Sequence, residues 1–237
     1  MTYHHISTRN RLLAVLPRPE LEKISLDLEP VELSFKQVLH DPGEKIAHIY
    51  FVTRGVVSMV NEPDNGDIVE FATIGPEGIV GFPVLLGASS MPSKAIVQIP
   101  GEALRISTAD FRGALDRLPT LQPLLLRYTM ALLNQVAQVT SCNRLHEVQE
   151  RCARWLLQTH DRVNSDSFPL TQEFLAQMLG VHRPTVTVAA GILQKAGLVD
   201  YTRGSMTIIN RKGLEAASCN CYQVIAAEYE RLLNSKS

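Results

Sequence analysis

The first 141 residues of this 237-residue chain contain no cysteine, and the whole chain has four: Cys142, Cys152, Cys219 and Cys221. So few thiols exclude a disulfide-stapled scaffold and fit a reducing compartment. Cys219-Asn220-Cys221 is the one close pair. No second pair or histidine cluster stands at zinc-finger spacing, so no metal and no redox role is expected, and the pair is placed on a tail helix. Long apolar runs are also missing. Nothing approaches the roughly 20 residues that cross a bilayer, and the polar N-terminus lacks the apolar segment of a signal peptide, so a cytoplasmic protein without a membrane partner is expected. The histidines form no His-x-His group. His40, Glu44 and His48 do not reproduce the ligand set of metal-dependent jelly-roll enzymes, so neither catalysis nor a catalytic residue is expected.

Charge of one sign is lacking overall, at a formal −1, but it is unevenly spread. Residues 1–143 carry 12 Lys/Arg against 15 Asp/Glu, or −3, whereas 144–212 carry 9 against 6, or +3. A mildly basic C-terminal block suits a polyanionic partner, and its modest size suggests two copies acting together.

Residues 1–9 read as loose, followed by short helices over Asn10–Leu16 and Pro19–Leu28. From Val31 to Ile106 the chain consists of short apolar runs. Turn signals separate them at Asp41-Pro42-Gly43, Arg54-Gly55, Asp64-Asn65-Gly66-Asp67, Gly75-Pro76, Gly78 and Pro100-Gly101. Short strands at such spacing predict an antiparallel jelly-roll barrel. Beyond Thr108 the period becomes helical. Leu121, Leu125, Tyr128, Leu132, Gln135, Val139 and Cys142 recur at alternating steps of four and three, a heptad seam that predicts a dimer interface. A second stripe, Leu126, Met130, Leu133 and Ala137, is assigned to the barrel. Asn143–Glu147 reads as a hinge, Val148–Val163 as a scaffold helix with Cys152, Trp155 and Leu156 on its apolar side, and Leu214–Leu233 as a terminal helix with frayed last residues.

The stretch Leu170–Asn210 carries the strongest signal. Thr171 is a good N-cap for a short helix with Phe174, Leu175, Met178 and Leu179 inward. Gly180 ends it, and a second helix starts at His182–Arg183 with Pro184 in its first turn and Val186, Ala189, Ala190 and Leu193 inward. Ala176, small enough for a close crossing, completes helix-turn-helix spacing with Gly180 and Val186. Leu198–Thr202 and Met206–Ile209, joined by Arg203-Gly204-Ser205, form a hairpin wing. A winged helix-turn-helix predicts double-stranded DNA as partner. Base contacts are expected from His182, Arg183, Pro184, Thr187, Val188 and Gly191, and phosphate contacts from Thr171, Gln172, Thr185 and Arg203.

This order of parts resembles the Crp/Fnr superfamily of bacterial transcription regulators. Glu29-Pro30-Val31-Glu32-Leu33, Pro42-Gly43-Glu44, Arg54-Gly55-Val56-Val57 and Gly75-Pro76-Glu77-Gly78 sit where that family's barrel has its strands and turns, and Arg183-Pro184-Thr185-Val186-Thr187 matches the start of its recognition helix. The resemblance implies an α+β chain: a sensory barrel over 1–118, a dimerisation helix over 119–143 and a winged helix-turn-helix domain over 144–237. It implies a homodimer on a two-fold operator, controlled by an effector in the barrel, with RNA polymerase as a further partner. The family's cyclic-nucleotide receptors carry a Gly-Glu pair and an Arg-Ser pair, where this chain has Gly81-Phe82 and Ser93-Lys94. The oxygen sensors' N-terminal cysteine cluster is missing. Cyclic AMP is therefore not expected, no cofactor is predicted, and the effector, if Gly81, Phe82, Ser93 and Lys94 hold one, is open; His40 or His48 as a haem ligand is left open too. The alternative reading is a ligand-binding module acting on a protein partner.

Overall fold

The computed structural model describes residues 8–63, 68–202 and 204–234. Residues 1–7, the expected turn at Asp64-Asn65-Gly66-Asp67, Arg203 and the last three residues lie outside them. The chain forms two compact units, one from the residues up to Met59, Thr73–Leu133 and those from Tyr229, the other from Val60–Ala72 and Asn134–Glu228. Among the described residues no helix is long and apolar enough to cross a membrane.

In the first unit, Asn10 organises the start. Its side-chain oxygen caps α1 (Arg11–Ala14) by accepting from the N–H groups of Leu12 and Leu13. Its amide donates to the carbonyls of Val52 at 2.8 Å and Gly78 at 2.9 Å, so a buried polar side chain is satisfied on both ends. Helix α2 (Arg18–Ser25) follows, with Pro19 in its first turn.

Six strands follow: β1 (Glu29–Leu33), β2 (Val38–His40), β3 (His48–Asn61), β4 (Val69–Ile74), β5 (Ile79–Val80) and β6 (Lys94–Ser107). They form an antiparallel sheet in the order β1-β6-β3-β4, with β2 added on β6 and β5 on β3. Two expected turns are corrected. Arg54-Gly55 and Pro100-Gly101 do not reverse the chain; they lie inside the 14-residue strands β3 and β6. The reason is close approach. A Cβ on Gly55, at φ 89°, would stand 2.5 Å from the Ile99 carbonyl oxygen, and one on Gly101 would lie still closer to the Arg54 carbonyl. Two backbones meet where neither can carry a side chain, so glycine here marks a close approach of neighbouring strands rather than a turn. Strand β3 is buried on both faces for most of its length, so it reads as a continuous apolar run rather than an alternation. After β5 a short 3₁₀ helix spans Phe82–Leu86, and α3 (Thr108–Arg117) starts on Ser107, whose hydroxyl accepts from the Asp110 N–H.

Helix α4 (Leu121–Leu145) is 25 residues long and overturns the assignment of its stripes. Leu121, Leu125, Tyr128, Leu132, Gln135 and Val139, expected against a partner, are all buried within their own chain, and the Tyr128 hydroxyl donates to the Ile79 carbonyl at 3.2 Å. The stripe assigned to the barrel is the open one: Leu126 and Met130 are each 45% exposed, Leu133 is 59% exposed, and Ala137 is exposed. Both stripes are apolar at the same period, so spacing alone could not tell inside from outside. The helix also runs through most of the expected hinge, leaving a break at His146–Glu147.

In the second unit α5 (Val148–His160) opens with a capping box in which Glu147 and Glu150 satisfy each other's backbone N–H groups. It is buried almost all round, and the Trp155 indole donates to Glu70 at 2.8 Å. Against it lie α6 (Gln172–Leu179), α7 (Arg183–Lys195) and α8 (Arg211–Ala217). Strands β7 (Ser167–Pro169), β8 (Val199–Thr202) and β9 (Ser205–Ile208) form a small sheet in the order β7-β9-β8. The expected terminal helix is two helices, α8 and α9 (Cys221–Asn234), broken at Ser218–Asn220, so Cys219 lies in the break rather than on a helix.

Candidate nucleic-acid interface

The local geometry of α6 and α7 follows from a few side chains. The Thr171 hydroxyl accepts from the Phe174 N–H at 3.1 Å and starts α6. Gly180 ends it at φ 60°, its own N–H returning to the carbonyls of Ala176 and Gln177. That left-handed residue also packs on Val69, where an added Cβ would come within 3.3 Å of a side-chain methyl. Helix α7 then begins with Arg183 and Pro184, and Val186, Ala189, Ala190 and Leu193 are buried as expected. With Phe174, Leu175, Ala176, Met178 and Leu179 of α6 they form the small core that fixes the crossing.

The opposite face of α7 is open. His182, Arg183, Pro184, Thr185, Thr187 and Val188 are exposed, and Gly191 is half-buried. Val188 is 63% exposed, and Ile192, one turn on, continues the same apolar edge. The Thr187 hydroxyl donates to the Gln172 side-chain oxygen at 2.9 Å, tying the first turn of α6 to the second turn of α7. Thr171, the cap, is exposed at the N-terminus of α6, where unpaired N–H groups favour an anion. In the wing, β8 and β9 pair in register from Val199 with Ile208 to Thr202 with Ser205. Arg203, between them in sequence, lies outside the described residues.

The face therefore brings together an arginine, a histidine, threonine hydroxyls and short apolar groups on one helix. Elsewhere in the same unit a buttress is built on Arg211, whose guanidinium reaches Asp161 at 2.6 Å, the Tyr222 hydroxyl at 2.6 Å and the Glu215 carboxylate at 3.0 Å. Burial, with Asp161 beside it, pushes the Tyr222 hydroxyl up to about 12, so it stays protonated and donates to Asp161.

In the barrel, Ser93 is buried and its hydroxyl has no hydrogen-bond partner among the described residues. Lys94 is turned to Asp41, 3.5 Å away. Phe82 begins the 3₁₀ helix that follows the left-handed Gly81, and Pro83, Val84 and Leu85 behind it are buried.

A strand-built domain followed by a winged helix-turn-helix is the layout of a DNA-binding regulator. Family models agree: residues 30–117 match the cyclic nucleotide-binding domain and residues 150–217 the Crp-like helix-turn-helix domain. The chain belongs to the Crp/Fnr superfamily of transcription regulators. Similar solved structures include FixK2 from Bradyrhizobium japonicum, at 17% identity and a TM-score of 0.69, covering 81% of this chain and 98% of that one. The c-di-GMP responsive global regulator CLP of Xanthomonas campestris is 17% identical with a TM-score of 0.61, covering 81% and 99%. A CRP-family transcriptional regulator of Thermus thermophilus is 18% identical with a TM-score of 0.64, covering 79% and 96%. At these identities the likeness concerns the fold. Among curated proteins there is no match.

One group is absent from the sequence reading. Cys142, His146, Cys219 and Cys221 come together although the two halves of the group are more than 70 residues apart. A signal existed: Cys142 and His146 stand at i and i+4, a spacing that places two ligands side by side on a helix.

Proposed function

We propose that this regulator binds a two-fold operator as a homodimer, each protomer laying the start of α7 in the major groove. What carries the reading is the division of α7 into a buried inner face and an exposed outer face that begins with Arg183. Arg183 is the long donor fork on that face and suits the O6 and N7 atoms of guanine. His182, Pro184, Thr187, Val188 and Gly191 form the remainder of the base-facing surface; Pro184 and Val188 offer apolar contact to a thymine methyl. Thr171, Gln172, Thr185 and Arg203 are assigned to phosphates. The Thr171 hydroxyl is occupied by its cap, so its share comes from the N-terminus of α6 rather than from the side chain.

Dimerisation runs through the open stripe of α4, Leu126, Met130, Leu133 and Ala137, in place of the buried seam. RNA polymerase is the protein such a dimer meets at a promoter. The barrel does not suit cyclic AMP: an enclosed cyclic phosphate needs a paired cation, Ser93 supplies a neutral hydroxyl, and Lys94 is engaged with Asp41.

Selection from a random duplex pool, followed by binding measurements on the enriched sequence, tests the assignment. Arg183→Ala is expected to lose about 1–3 kcal/mol on the selected site and to relax preference at one base pair per half-site. Gln172→Ala weakens all sequences alike. Equal loss on every sequence for Arg183→Ala refutes its role as base reader.

A further inference from the structure

The cysteine–histidine group at the end of α4 has a geometry that the DNA-binding role does not use. Cys142 lies in the last turn of α4 and His146 directly follows it, with the His146 backbone N–H bonded to the Cys142 carbonyl at 3.1 Å. Cys219 and Cys221 flank Asn220 at the break between α8 and α9. The three sulfurs and a ring nitrogen of His146 all lie within 4.8 Å of one another. Cys142 Sγ is 3.4 Å from Cys219 Sγ, and Cys221 Sγ is 3.5 Å from His146 Nδ1. The cysteines are buried and the histidine is half-buried, which leaves a path for an ion to enter.

We propose that these four residues form a structural zinc site. Zn–S bonds of about 2.3 Å and Zn–N bonds of about 2.0–2.1 Å in a tetrahedron set sulfurs roughly 3.8 Å apart and sulfur and nitrogen roughly 3.5 Å apart. The observed spacings need only small adjustments to reach that arrangement. An iron–sulfur cluster places irons and sulfides between its ligands and holds thiolates of different irons further apart. Three thiolates and one imidazole also fill the four positions of a tetrahedral ion, leaving none for water. That is the pattern of a structural rather than a catalytic ion.

The surroundings favour an anionic centre. Zinc with three thiolates and a neutral imidazole carries one net negative charge. Arg154 lies beside the Cys142 sulfur, and Arg151 is held near both Cys142 and Cys219. Both guanidiniums are buried, and the Nε of each has no hydrogen-bond partner among the described residues. The Gln138 amide donates to Cys221 Sγ at 3.1 Å, the kind of outer contact that orients a ligand. Zinc binding forms three Zn–S bonds and one Zn–N bond and releases the thiol protons to solvent. The ion then joins the end of α4 to the α8–α9 break, two segments that sequence leaves far apart.

Cys152 provides the internal control. It is buried on α5 and is not one of the four clustered donors, and burial pushes its thiol up to about 12. The experiment uses the full chain purified under reducing conditions, with zinc per chain measured by plasma mass spectrometry and the apo-protein titrated with Co²⁺. Wild type and Cys152→Ser are expected to hold about one zinc per chain and to give the intense visible bands of tetrahedral thiolate-bound Co²⁺. Cys219→Ser and His146→Ala are expected to weaken the metal by at least about tenfold, with circular dichroism verifying that each variant is folded. Folded wild type that carries no zinc and takes up no Co²⁺ overturns the proposal. So does retention of full zinc affinity in both ligand variants, an iron- and sulfide-containing chromophore, or ready closure of a Cys142–Cys219 disulfide in protein presented with zinc.

Discussion

Exchanging the two stripes of α4 makes a quantitative prediction. In the single chain Leu126 and Leu133 are 45% and 59% exposed, while Leu125 and Leu132 are 0% and 3% exposed. Full burial of a leucine contributes about 1.5–3 kcal/mol, so covering the open half of each side chain contributes about 0.7–1.5 kcal/mol. A two-fold interface uses both leucines from both protomers, which gives about 3–6 kcal/mol of association free energy. Leu126→Glu combined with Leu133→Glu removes this and sets carboxylates against each other. The dimer dissociation constant should rise by at least about 10²- to 10⁴-fold. Protomer stability should hardly move, because surface substitutions stay within about 0.5 kcal/mol. Leu132→Ala is the counterpart: truncating a buried leucine costs about 2–5 kcal/mol and lowers the melting temperature by roughly 4–20 °C. Sedimentation velocity at micromolar protein and thermal melts read both effects. A double glutamate variant that still sediments as a dimer, or that melts as early as Leu132→Ala, refutes the reasoning.

Other perturbations are expected to act locally. Thr171→Ala removes the cap of α6 and should destabilise the second unit by about 1 kcal/mol, read by urea denaturation. Gly180→Ala imposes a side chain at φ 60° and against Val69, and should cost about 1–2 kcal/mol in the same assay. Calorimetric titration with cyclic AMP should show no micromolar binding, and binding that disappears in Lys94→Ala would show the lysine taking the phosphate after all. Burial lowers the pKa of His40 from its ordinary 6.5, against the opposing pull of Asp41. Its neutral form is thus favoured in the folded state. As pH falls through 6.5 the unfolded chain takes up the proton first, so this contribution to stability is lost toward acid. His40→Gln should reduce that loss in melts between about pH 7 and pH 5; an unchanged pH profile would discount the histidine.

Local chemistry makes the DNA-binding half legible. Thr171, Gly180 and Pro184 each act within one turn of themselves, and the inward residues of α7 follow the helix period without exception. Expectation and structure part where the deciding interaction is distant. Gly55 and Gly101 look like turn residues until the neighbouring strand is seen to press on each. The two stripes of α4 are equivalent until Tyr128 finds Ile79, 49 residues earlier. His146 falls in the expected hinge, and its neighbour Cys221 lies 75 residues on. A sequence window contains none of these partners.

The pairing of β1 with β6 has a kinetic side. Arg105 reaches Glu29 across 76 residues and even the innermost pair, Leu33 with Gly101, spans 68, so no part of the register forms before a long loop closes. The wing, by contrast, pairs Thr202 with Ser205 and extends outward from there. Contacts of such different span form at different speeds, since non-local strand pairing is slow and local hairpins and helices are fast. Refolding followed by a probe in the wing should therefore report early events, while a probe placed in β1 should lag behind, as should the single tryptophan, Trp155, whose indole reaches Glu70 across 85 residues. On a ribosome the order reverses, because the slow-pairing strands emerge first and have the time of synthesis of the remaining chain in which to close their longest loop.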